Sequence, residues 1–143
     1  MSSTLIQYRG KGFWMHNAVA EVWLCALCQQ IRNGDVREKW IIDLSDKINA
    51  ALNAKWIAGV LQSDLNSTLV DDRLASVSNI FLEIEDRLFS LAKNNSIVKM
   101  SIYAASSEFL TPELEMLRTL FFETSLISTP PHIFTLNKGW VIA

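Results

Sequence analysis

Asn17-Ala18-Val19-Ala20-Glu21-Val22-Trp23-Leu24-Cys25-Ala26-Leu27-Cys28-Gln29-Gln30-Ile31 is the stretch on which the fold turns. Val19, Val22, Trp23, Ala26, Leu27 and Ile31 recur at the spacing of one helical face. Leu24, Cys25 and Cys28 widen that stripe almost all the way round. A helix that is apolar on most sides must be covered on most sides, so this one is expected to be central. Asn17 is a suitable N-cap. Asn33-Gly34 supplies the stop, because glycine takes the left-handed conformation after a helix at little cost.

Downstream, Asp35 opens a second helix, with Glu38 three residues on in an aspartate version of the capping box. Trp40, Ile41, Leu44, Ile48, Ala51, Leu52 and Trp56 follow at steps of three or four, and Gly59 is the candidate stop. So tight a connection predicts antiparallel neighbours. Residues 61–70 read as a loop, with turn chemistry at Ser63-Asp64 and Asn66-Ser67. A third helix is expected from about Asp71 to Lys93, because Leu74, Val77, Phe81, Ile84, Leu88 and Leu91 repeat in steps of three and four.

Residues 97–105 have two readings. Val98, Met100, Ile102 and Ala104 alternate like a strand, yet Ser96 can cap a short helix, and the helical neighbours favour the helix. Thr111-Pro112-Glu113 predicts the start of another helix, which carries Leu114, Leu117, Leu120, Phe121 and Ile127 and ends before Pro130-Pro131. Ile133 to Leu136 and Trp140 to Ile142, around Asn137-Lys138-Gly139, form a candidate terminal β-hairpin that could pair with Leu5-Ile6-Gln7-Tyr8. The expected fold is all-α: one domain over residues 1–143, a compact bundle of four to five helices with that small terminal hairpin as an addition.

The 143 residues, half of them hydrophobic and a fifth charged, suffice for one core and exclude disorder. There is no run of about 18 uncharged apolar residues, so no membrane span is expected. Met1-Ser2-Ser3-Thr4 lacks the basic and apolar regions of a secretory signal, which predicts a cytoplasmic protein. Thirteen basic residues against fifteen acidic ones argue against a dedicated nucleic-acid binder. The charge is unevenly spread: residues 56–92 hold six acidic side chains against two basic ones. Such a run most often marks a solvated helix face; the sharper reading is a surface presented to a basic partner.

Catalytic signatures are missing: there is no nucleophile elbow, phosphate-cradling loop, zinc-protease motif or calcium loop. Cys25 and Cys28 form a C-x-x-C inside an apolar helical run, without the helix N-terminus that lowers a thiol pKa, and are expected to be buried and inert. His16 and His132 lie in no ligand pair, so neither a metal nor another cofactor is expected. His16 and Glu21 could form an acid–base pair, although a structural role is the commoner use of such a pair. Tyr8-Arg9-Gly10-Lys11-Gly12 reads as a turn into the first helix. Trp14, Trp23, Trp40 and Trp56 all suit core or helix-end positions.

Tyr8-Arg9-Gly10-Lys11-Gly12-Phe13-Trp14, leading into the helix with Glu21-Val22-Trp23-Leu24, resembles the opening of a group of small bacterial proteins. Trp56-Ile57-Ala58-Gly59, the turn Ser63-Asp64-Leu65-Asn66 and the acidic start Leu69-Val70-Asp71-Asp72-Arg73 extend the likeness. The layout resembles immunity proteins of contact-dependent growth inhibition systems, which neutralise a delivered toxin domain, often a nuclease. It covers residues 8–31 and 56–91, and faintly 107–127. Met15-His16-Asn17 departs from the charged pair that follows Phe-Trp in that family, and residues 130–143 match nothing in it.

The resemblance implies a non-enzymatic protein that occludes the active or substrate-binding surface of a cognate toxin. The candidate contacts are Asp64, Asp71, Asp72, Glu83 and Asp86, with Trp14 and His16 as a second patch. The alternative is a helical structural or oligomeric subunit pairing through the Leu74-to-Leu91 seam, against which a monomer is favoured. An enzyme working through His16 and Glu21 is the third reading.

Overall fold

The chain begins with a β-hairpin, where a turn into a helix was expected. The computed structural model describes residues 3–35, 38–54, 68–69, 73–122 and 134–135. Strand β1 (Ser3–Tyr8) pairs antiparallel with β2 (Lys11–His16), from Ser3 opposite His16 to Tyr8 opposite Lys11. Arg9 (φ 50°) and Gly10 (φ 78°) form the two-residue turn, with the paired positive φ values that match the twist of a hairpin. Gly12 must stay bare, because a Cβ there would lie 2.7 Å from the Ile6 carbonyl oxygen. Ile6, Tyr8, Phe13 and Met15 alternate onto the buried face.

Helix α1 (Asn17–Asn33) is sheathed as expected, with every residue from Val22 to Cys28 buried. It packs against α2 (Lys39–Ala54), α3 (Arg73–Asn94) and the hairpin of β3 (Ile97–Met100) and β4 (Tyr103–Ser106). Its ends differ from the reading above. His16 occupies the N-cap without a side-chain cap bond, and the Asn17 Oδ1 accepts from Thr4 Oγ1 at 2.5 Å instead. Gly34 is extended (φ −86°), not left-handed, while its N–H still donates to the Gln30 carbonyl at 2.9 Å.

Helix α2 starts at Lys39, four residues after the proposed Asp35 cap, with the Glu38 carbonyl accepting from the N–H groups of Ile41 and Ile42. The α3 stripe is filled within the chain: Val77, Phe81, Ile84 and Leu88 are buried, with Leu74 and Leu91 packed against the same core. Trp23, Phe81 and Phe121 meet with ring centroids 5.3–6.1 Å apart, which ties α1 to α3 and to α4 (Ser107–Phe122). The Tyr8 hydroxyl donates to the Leu69 carbonyl at 2.7 Å.

Residues 97–105 resolve towards the strand. Ile97 pairs with Ser106 and Met100 with Tyr103, so β3 and β4 are antiparallel. Val98 and Met100 turn inward while Ile97 and Lys99 are exposed, so the two-residue alternation carried the information. Ser96 does not cap a helix: its carbonyl accepts from the N–H and hydroxyl of Ser107, pinning the hairpin's ends together. Helix α4 therefore starts earlier than the Thr111-Pro112 signal. Ser106 Oγ accepts from the Glu108 N–H, and Pro112 falls inside the helix.

Strand β5 (Phe134–Thr135) adds to β2, not to Leu5-Tyr8, giving the order β1-β2-β5. The all-α expectation is thus corrected to a helix-dominated α/β fold with two small antiparallel sheets. Trp56, Gly59, the loop expected over 61–67 and residues 136–143 lie outside the described residues. Among the described residues, no helix is long and apolar enough to cross a membrane.

Candidate functional site

The junction between β2 and α1 holds a tightly fixed polar group near the surface. His16 ends β2, and both oxygens of the Glu113 carboxylate reach it from α4. Oε1 accepts from the His16 backbone N–H at 2.6 Å, and Oε2 lies 2.7 Å from the ring Nδ1. Glu113 is buried, and the imidazole stacks on Phe109 at 4.3 Å between centroids. A carboxylate at Nδ1 selects the tautomer protonated there and fixes the ring plane. The proposed His16–Glu21 pairing is corrected: the partner of His16 is Glu113, 97 residues away in sequence. No local spacing could have revealed it.

Trp14 lies two residues before His16 and so on the same outer face of β2. It is 41% exposed, against the expectation of a core position. The other described tryptophans are covered. Trp23 is fully buried, and Trp40 is half-buried, donating to Glu38 at 2.7 Å beneath the Arg73 guanidinium.

The acidic candidates divide. Asp64, Asp71 and Asp72 lie outside the described residues. Glu83 and Asp86 are exposed on α3, as a contact surface needs, but both already have partners. Glu83 accepts from Gln30 Nε2 at 3.2 Å, and Asp86 accepts from Arg118 Nη2 at 2.7 Å. The structure therefore brings Trp14 and His16 together on one strand and leaves Glu83 and Asp86 on a separate helix.

Between those two acids, Glu85 is fully buried. Its Oε2 accepts from Arg118 Nε at 3.0 Å, and its Oε1 has no hydrogen-bond partner. Loss of water outweighs the nearby guanidinium and pushes this carboxyl up to about 7. Arg118 moves upward too: burial works against its charge, but the bonds to Asp86 and Glu85 outweigh it. The sequence carried a signal for Glu85, which stands four residues after Phe81 and three before Leu88, on the apolar face.

Cys25 and Cys28 are unbridged and buried, and burial raises both thiols above their usual range. Such thiols are poor nucleophiles. Among the described residues, no three His, Cys, Asp or Glu side chains converge as metal ligands would. No protein-family model, curated protein or solved structure matches the chain.

Proposed function

We propose that this chain is an immunity-type binding protein that neutralises a cognate toxin domain by covering its active or substrate-binding surface. It acts in the cytoplasm, by occupancy and not by turnover. The observation that carries this reading is the exposed Trp14 on the β1–β2 hairpin, beside an imidazole whose position is fixed by Glu113 and Phe109. A large, stiff aromatic group on a hydrogen-bonded strand has little conformational freedom to lose on docking, which is why tryptophan is enriched among residues that dominate interfaces. The sequence likeness over residues 8–31 includes this segment. Exposed Glu83, bonded to the neutral Gln30 carboxamide, gives a second, acidic contact point suited to a nuclease, whose substrate face is basic, whereas Asp86 is already ion-paired with Arg118.

Co-expression with the product of the adjacent toxin gene is the direct test, and protection of the cell is the expected result. Trp14→Ala should leave the fold intact and weaken the purified complex by about thirtyfold, or about 2 kcal/mol, in a calorimetric titration. Full protection and unchanged affinity in that variant would remove the hairpin from the interface. A toxin that neither binds nor is neutralised would end the immunity reading.

A further inference from the structure

A cleft of about 230 Å3 opens between α1, α2 and the turn of the β3–β4 hairpin. The Cys25 and Cys28 side chains lie along it, with Gln29 donating to Cys25 Sγ at 3.7 Å. Arg32, Asn49 and Asn53 also line it, and none of these three side chains hydrogen-bonds to another described residue. Among the described residues the lining offers one guanidinium and several carboxamides, and no carboxylate.

The rim holds one strained backbone position. Ser101 takes a left-handed φ of 58° at the first central turn position, where hairpins of this kind use glycine. Ile102 follows it and is 79% exposed, which leaves an apolar side chain at the edge of the cleft. Backbone strain of this kind clusters at active sites and ligand clamps.

We propose that the cleft binds a small organic carboxylate with a compact apolar body. The carboxylate pairs with the planar fork of Arg32, which matches its two oxygens. Asn49 and Asn53 supply carboxamide bonds beside it, and the body rests against Leu52 and Ile102. Arg32, the one cation among the described lining residues, selects an anionic ligand over its neutral relative. This inference does not depend on the toxin-binding reading.

Benzoate and its neutral relative benzamide are the probes, titrated to about 10 mM into the full chain and followed by the side-chain amide signals of Gln29, Asn49 and Asn53. Benzoate should give saturable shifts, with benzamide at least about tenfold weaker. Arg32→Gln should weaken benzoate about tenfold, and Ile102→Ser severalfold, with signals outside the cleft unmoved in both exposed-site variants. Absent or unsaturable shifts, an equal response to benzamide, or an unchanged response in either variant overturns the proposal.

Discussion

At Glu85 a carboxyl occupies a position that the surrounding Phe81, Ile84 and Leu88 side chains would fill with hydrocarbon, and its titration becomes a stability term. Its folded pKa of about 7 lies above the ordinary value of 4.5, so the folded chain binds this proton more tightly than the unfolded chain does. The resulting stabilisation is complete below about pH 4.5 and is lost as pH rises through about 7, above which the buried charge is a net cost. Glu85→Gln keeps the shape and removes the titration. The difference in unfolding free energy between parent and variant should therefore shift by about 2 kcal/mol between pH 5 and pH 8, in the variant's favour at the higher pH. Parallel urea-denaturation profiles for the two proteins would mean that Glu85 does not change charge on that interval. His16 also belongs to this scale: the identity of its partner was invisible from the chain, because Glu113 arrives through the packing of α4 and not through spacing.

Among the elements, α1 and α3 were legible because their apolar stripes are long enough for a 3.6-residue period to be unmistakable. The two hairpins were not. Each strand of β3 and β4 is only four residues long, too short for alternation to outweigh the expectation set by neighbouring helices. In β1 and β2 the alternation of Ile6, Tyr8, Phe13 and Met15 is present, but Tyr8-Arg9-Gly10-Lys11-Gly12 reads as a turn into the first helix and not as the two positive φ angles of a hairpin. The site was legible only in part: Trp14 and His16 were selected from the sequence, whereas their exposure and fixation depend on contacts with α4. The β3–β4 turn makes its own prediction. Ser101→Gly removes the cost of a left-handed β-carbon and should raise stability by about 0.5–1 kcal/mol in urea unfolding, net of the greater freedom of glycine when unfolded. A loss of stability there would show that the serine hydroxyl holds the turn.

For the molecule as a whole, the stripe from Leu74 to Leu91 is spent on its own core, against α1 and α4. Pairing between chains through that seam would require the core to open, so light scattering at micromolar concentration should return the mass of one chain. A stable dimer would have to use another face, with exposed Ile42 and Ile97 the places to look. The depth of α1 has a further consequence for measurement. Its segment from Val22 to Cys28 is covered by helices on some sides and by a hairpin on another, so no small opening can admit deuterium to its amides. Those amides should exchange only through complete unfolding, and their rate would then act as a thermometer of global stability. Any molecule captured by the native chain, at Trp14 or beside Arg32, would register there as slower isotope uptake, even though it touches none of those amides.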